Sequence, residues 1–281
     1  MAGVSTKEIK SRIRSMESTK QITKAMEMVA ASKLRHAQAQ IQNSRPYFET
    51  LYSTINDILA TNRDFSSPYL KAPGEGKKLA IVIAGDRGLA GGYNSNVLKK
   101  VTAELRDQDT DILPIGKKAL DYFKAHGYHV VTEAHALAAE LTVGDCFSIS
   151  KELSKQYLAG TYAEVSLLYT NFVSVLQQDP KSLRLLPLIP GEAEEATVKS
   201  HGITYEPDSE EVFAAIVPEY LGGILYGSLC ESRASEQAAR RTAMDSATSN
   251  AEDMIADLSL KYNRARQSAI TQEITEIVAG S

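Results

Sequence analysis

Residues Ala251 to Ala269 read AEDMIADLSLKYNRARQSA, and the spacing of their apolar positions decides the fold. Ala251, Ile255, Leu258, Tyr262, Ala265 and Ala269 recur at steps of four, three, four, three and four. That is the heptad seam of a helix that pairs with another helix. Ile274 and Ile277 extend it toward the C-terminus. No glycine or proline interrupts the chain between Gly227 and Gly280, so a single helix is expected from about Tyr220 to Ala279. At ~1.5 Å per residue it would be roughly 90 Å long, more than one domain of this chain can cover. Alanine holds half of the seam from Ala251 to Ala269, which permits close approach but buries little area.

A helix of this length needs a partner along its length, because propensity alone does not hold it. The other end of the chain supplies one. From Val4 to Ser44 there is again no glycine or proline. Apolar residues Ile13, Met16, Ile22, Met26, Val29, Leu34, Ala37 and Ile41 recur mostly at threes and fours, with interruptions around Thr19 and Ala30. Ser5 or Thr6 can cap the start, with Glu8 at the capping-box position. Past Pro46 the pattern resumes at Tyr47, Leu51, Ile55, Ile58 and Leu59, so a bend rather than an end is expected there. The run Thr61 to Gly76 is rich in breakers.

Between the arms the period changes. Leu79 to Ala84 is a continuous apolar run that reads as a buried strand. Asp111–Ile115 (with Pro114 arguing for an edge), Tyr128–Thr132, Glu164–Tyr169 and Leu183–Leu188 read as further strands. Helices are expected at Asn96–Arg106, Lys117–His126 and Ser148–Ala159, the middle one closed by Gly127. Strands alternating with helices predict a parallel, Rossmann-like α/β sheet. The predicted organisation is a coiled-coil helix over 1–60, an α/β domain over 77–190, and a second coiled-coil helix over 208–281, with an acidic loop between Pro190 and Pro207.

Composition narrows the function. The chain of 281 residues is 43% hydrophobic and 23% charged, with a net charge of -4. Residues 1–45 carry nine basic and three acidic side chains, or +6, which leaves -10 on the rest. A basic arm on an acidic protein calls for an acidic partner surface, a nucleic acid or an anionic membrane. The arm has no aromatic residue before Tyr47, so stacking platforms for single strands are missing. Cys146 and Cys230 match no metal or disulfide spacing and read as thiols of a reducing compartment. No stretch approaches the ~18 apolar residues needed to cross a bilayer, and the N-terminus has no apolar signal region, so a soluble intracellular protein is expected.

Gly85-Asp86-Arg87-Gly88-Leu89-Ala90-Gly91-Gly92 stands where a dinucleotide-binding fold keeps its phosphate loop. Its glycine spacing is wrong, no Gly-Lys-Ser/Thr follows, and Asp86 would repel a phosphate. The five histidines form no helical metal pair, and no nucleophile, base and acid can be grouped by local spacing. Two other classes remain as alternatives: a nucleotide-binding α/β enzyme that dimerises through its arms, and a basic coiled-coil nucleic-acid binder.

Two long segments carry a specific resemblance. Thr19–Lys33 (TKQITKAMEMVAASK) and Tyr262–Val278, with its elements YNRARQ and ITQEITEIV, resemble the terminal motifs of the γ subunit of bacterial F-type ATP synthases. Asp86-Arg87-Gly88-Leu89 and Ala234–Arg240 are similar as well, so the resemblance runs through the chain in order. It implies an antiparallel coiled coil of the two ends with a Rossmann-like domain between them. It also implies a rotor shaft turning inside a hexamer of α and β subunits, its foot and the ε subunit resting on a membrane c-ring. Mg-ATP and ADP would sit on the α and β subunits, and this chain would bind no cofactor and carry no catalytic residue. The protein would lie peripherally on the cytoplasmic face of the cell membrane, with no insertion and no nucleic acid.

By the same resemblance, Arg266, Gln267, Thr271 and Glu273 would meet a β-subunit loop. Arg240 would belong to the same contact set, and Lys20, Lys24 and Met26 would touch the β C-terminal region from the other helix. Tyr205 and Glu206 are the expected foot contacts toward ε and the c-ring. Ala90 stands where many members of the family have cysteine, and the cysteine-bearing insertion of chloroplast relatives is missing.

Overall fold

The computed structural model describes residues 6–61, 67–71, 74, 76–105, 109–188, 206 and 208–280. In chain order they form α1 (Thr6–Thr61), a short 3-10 turn (Pro68–Leu70), β1 (Lys77–Ile83), α2 (Tyr93–Glu104), β2 (Thr110–Ile115), α3 (Lys117–Ala125), α4 (Val143–Leu158), β3 (Tyr162–Phe172), β4 (Gln178–Leu186) and α5 (Ser209–Ala279). The chain divides into two compact units, one of residues 1–32 with 240–281 and one of residues 33–239.

The second unit is built on a four-stranded sheet of order β2-β1-β3-β4. β1 runs parallel to β2 and β3, while β4 returns antiparallel to β3. The sheet is therefore mixed, where an all-parallel one was expected. Only five residues separate β3 from β4, too few for a crossover, and Ser174 closes their connection by accepting from the backbone of Leu176 and Gln177. The expected strand at Tyr128–Thr132 is reduced to a single bridge between Val130 and Ile112. Pro114 sits on β2, at the edge of the sheet as predicted.

β1 explains why its run is apolar at every position. Leu79, Ile81 and Ile83 face one layer, with Ile149, Leu153 and Tyr157 of α4 and Phe213, Val217, Leu221 and Leu225 of α5. Ala80, Val82 and Ala84 face the other, with Val97 and Val101 of α2 and Phe123 of α3. Burying each such large side chain contributes about 1.5–3 kcal/mol.

α5 begins at Ser209, eleven residues before the predicted start. Asp208 caps it, its carboxylate accepting from the backbone N–H of Glu210 and of Glu211, both at 2.8 Å. Pro218 lies inside the helix, and the Ser150 hydroxyl donates to its carbonyl at 2.8 Å. α1 likewise continues through Pro46. By length and composition α5 could cross a membrane, contrary to expectation. Phe213, Val217, Leu221, Leu225 and Leu229 of this stretch are instead buried in the core of this unit. Side chains at Gly222 and Gly223 would meet the rings of Phe147 and Phe48 at 2.5 Å, so the helix is glycine where aromatic rings lie against its backbone.

In the first unit α1 and α5 pair antiparallel. Thr23 Oγ1 lies 2.7 Å from Thr248 Oγ1, and Lys20 Nζ lies 2.8 Å from Glu252 Oε1, so one chain descends as the other rises. The α5 positions Ala251, Ile255, Leu258, Tyr262 and Ala265 are buried or half-buried, as the heptad predicted, and Thr248 joins them; Ala269, Ile274 and Ile277 are exposed.

The α1 seam differs from the prediction. Ile9, Ile13, Met16, Lys20, Thr23, Glu27 and Ala30 are its buried and half-buried positions, an unbroken alternation of four and three. Ile22 and Val29 are 60% and 55% exposed. The other expected positions, Ile13, Met16, Met26, Leu34, Ala37 and Ile41, are buried or half-buried, so the difference lies at Ile22 and Val29. The true seam passes through polar Lys20, Thr23 and Glu27, satisfied by the hydroxyl pair and by ion pairs. The N-cap expected at Ser5 lies outside the described residues.

Candidate functional site

The glycine loop after β1 holds its own ligands. Asp86 accepts from the backbone N–H of Ala138 at 2.8 Å, of Ala139 at 3.0 Å and, at the start of α3, of Lys117 at 3.4 Å. Asn94 Oδ1 accepts from Gly85 N–H at 2.8 Å. The Asp86 carboxylate thus ties this loop to the start of α3 and to the backbone at Ala138 and Ala139. Gly116 has φ +97°, and a Cβ there would fall 2.1 Å from the Ala84 carbonyl oxygen, so this crossing of β1 and α3 requires glycine. The loop is a turn that ties strand to helix. No group of three metal-ligating side chains occurs among the described residues.

The residues singled out on the helices all fall in the first unit. Lys20 and Lys24 lie one turn apart on α1. Lys20 pairs with Glu252 across the seam and holds its carboxyl below the ordinary glutamate value. Lys24 pairs with Glu27 at 2.7 Å along its own helix, and this partner raises the lysine pKa. Met26 is half-buried beside them. Lys20 therefore braces the pair from within, while Lys24 is exposed.

Arg266, Gln267, Thr271 and Glu273 stand elsewhere. Arg266 is fourteen residues beyond Glu252, about 21 Å along the helix axis. From Arg266 to Gly280 every residue is exposed. The register accounts for this among the described residues: stepping back along α1 from Lys20 to Thr6 uses up those same fourteen residues, so no described residue of α1 falls opposite the stretch beyond Arg266. Thr271 donates to the Gln267 carbonyl at 2.9 Å, which leaves the Gln267 and Arg266 side chains to solvent. Arg240 lies twelve residues from Glu252 in the other direction, about 18 Å away, and is half-buried. The set is three patches along one pair of helices. Tyr205 lies outside the described residues, and Glu206 is an exposed residue in a bend.

The sequence reading missed an apolar surface. Ile22, Met28 and Val29 on α1 and Met254, Leu260, Ile270, Ile274, Ile277 and Val278 on α5 are exposed, Ile277 and Val278 at 71% each. Single exposed apolar residues are ordinary, but so many on two helices mark a surface that meets another molecule. The signal was present in α1: counting polar residues as seam members leaves Ile22 and Val29 on the outside.

A paired-helix unit made from the two chain ends, with an α/β unit built from the residues between, defines a stalk-type fold. A chain from the Tetrahymena thermophila mitochondrial ATP synthase central stalk and c-ring structure is similar, with a TM-score of 0.60 at 24% identity, over 80% of this chain and 99% of that one. A chain of the Euglena gracilis mitochondrial ATP synthase rotor gives a TM-score of 0.62 at 17% identity, over 94% and 98%. The family model described as ATP synthase matches residues 5–281. The ATP synthase gamma chain of Ruminococcus albus is 46% identical over 98% of this chain and 97% of its own length. The chain belongs to the ATP synthase gamma chain family.

Proposed function

We propose that this chain is the central rotor shaft of a bacterial F-type ATP synthase, coupling ion flow through a membrane c-ring to ATP synthesis and hydrolysis on partner subunits. The gamma chain is a non-catalytic subunit, and the nucleotides, with Mg, belong on the α and β subunits. The first unit turns inside the α3β3 hexamer. The α/β unit serves as the foot, with Glu206 and Tyr205 toward ε and the ring. The protein sits peripherally on the cytoplasmic face of the membrane. The domain organisation that goes with this role is a helix over 1–60, an α/β domain over 77–190 and a helix over 208–281.

The observation that carries the reading is the exposed end of α5. Fourteen exposed residues hold apolar Ile270, Ile274 and Ile277 beside polar Arg266, Gln267, Thr271 and Glu273. Such a surface suits a sleeve in which the shaft slides on apolar side chains and makes charge-assisted contacts that break and reform. Lys20, Lys24, Met26 and Arg240 provide further β contacts. The basic N-terminal arm favours acidic stator loops.

Arg266→Ala with Gln267→Ala, built into the reassembled complex, tests the contact role. Gradient-driven ATP synthesis is expected to fall while the complex still assembles. Wild-type synthesis and rotation in the double variant would overturn the assignment.

A further inference from the structure

The α/β unit contains a cavity of about 350 Å³ that the shaft role does not use. It lies where α4 covers β1 and β2 incompletely. Between α3 and α4 the chain forms only the Val130 bridge and turns, so no helix lies over the edge of this sheet face. Leu79 and Leu113 of the strands and Ile149 and Leu153 of α4 make an apolar floor. Asp145, Glu152 and Gln156 stand on the same stripe of α4 at the mouth, with His135 on the facing loop.

The charge of the lining is one-sided. Asp145 and Glu152 are the acids, and no lysine or arginine lines the cavity among the described residues. Asp145 takes the Thr142 backbone N–H and hydroxyl, both at 2.7 Å, and these bonds hold its pKa down, so it stays ionised. Burial lowers the His135 pKa, which favours the neutral ring. Glu152 is oriented by the Gln156 amide at 2.8 Å. An apolar floor of this volume with a few polar groups at the mouth has the form of a small-ligand pocket, at the lower end of the usual ~300–1,000 Å³.

We propose that this cavity binds a small organic cation with an apolar body, of the arylalkylammonium class, its ring on the Leu79–Leu153 floor and its ammonium beside Glu152. Isothermal titration of the full chain with 2-phenylethylammonium tests it, against 2-phenylethanol and phenylacetate. The ammonium is expected to bind at one site and about fivefold tighter than the alcohol, the upper end for a partly exposed ion pair. Phenylacetate is expected to bind more weakly than the alcohol. Glu152→Gln should remove most of the margin, whereas Glu210→Gln, which lowers the net charge elsewhere, should leave it intact. Ser148→Trp, placed at the mouth, should abolish binding of both the ammonium and the alcohol while the far-UV spectrum stays native. Equal affinity for all three probes, no binding, or undiminished binding by Ser148→Trp overturns the proposal. The assay uses the chain alone, so its failure leaves the rotor reading untouched.

Discussion

Replacing both hydroxyls of the Thr23–Thr248 pair is expected to cost less than replacing one. The two oxygens lie 2.7 Å apart in the buried seam, and each also reaches a carbonyl of its own helix, Thr23 to Lys20 at 3.1 Å and Thr248 to Met244 at 2.8 Å. Two hydroxyl protons serve three contacts, so one proton bridges the helices and the other stays local. Thr23→Val or Thr248→Val alone removes the bridge and leaves one hydroxyl against a methyl group. The loss is about 1 kcal/mol, the net worth of a hydrogen bond, plus part of the desolvation of the remaining oxygen. That oxygen keeps its intrahelical carbonyl, which holds the total near 1–1.5 kcal/mol. With both residues valine, no polar group is left unpaired and two methyls meet in its place, so the double variant should lie within about 0.5 kcal/mol of wild type. The coupling energy of the cycle is then about 2 kcal/mol in favour of the double variant. Amide hydrogen exchange in peptides covering residues 15–30 and 244–258 reads the local opening free energy of this unit, where a global melt would be dominated by the α/β unit. Additive losses, with the double variant at the sum of the singles, would refute the shared hydrogen bond.

The Lys20–Glu252 pair makes stability depend on pH with a definite sign. The folded glutamate value is depressed, so the contribution is present above the ordinary glutamate value and is lost as pH falls through the folded one. NMR titration of the Glu252 carboxyl should show its midpoint rise in Lys20→Met; an unchanged midpoint would deny the pairing. Gly116→Ala should prevent soluble folding, since its Cβ meets the Ala84 carbonyl oxygen at 2.1 Å. Gly127→Ala, also at positive φ but with open space around it, should cost only about 1–2 kcal/mol. Equal melting temperatures for the two variants would show that φ alone matters. In the isolated chain the amides of residues 266–279 should exchange far faster than those of 244–258, because an exposed helical end of this length is marginal. Comparable protection of the two segments in the free chain would contradict that.

The α5 seam was legible because Ile255, Leu258 and Tyr262 keep a strict heptad, and β1 because six consecutive apolar residues admit few other readings. The α1 seam departs from expectation at Ile22 and Val29 for a physical reason: hydrophobicity marks what is buried against anything, and these two are apolar without facing α5. Register between the helices was invisible, since it rests on Thr23 meeting Thr248 and Lys20 meeting Glu252, pairs that sequence does not join. The direction of β4 follows from a five-residue connection, hidden because the expected strands Glu164–Tyr169 and Leu183–Leu188 leave thirteen residues between them, room for a crossover. The contact residues near Arg266 were reached by resemblance; composition and spacing alone gave only a polar tip.

The composition of α1 has an energetic consequence. A helix pair selected for its own stability would place Ile22 and Val29 in the seam, and Lys20, Thr23 and Glu27 outside. Here the order is reversed over residues 20–29, which sets local preference against the isolated fold. The polar seam gives up hydrophobic grip, and in exchange the hydroxyl and ion pairs fix the register, as a buried polar residue does in other coiled coils. The displaced apolar surface is stabilising only when something covers it, so the helix pair gains stability by association. The same residues that weaken the free helix pair thereby couple its folding to whatever covers them, and the exposed end of α5 depends on that cover most.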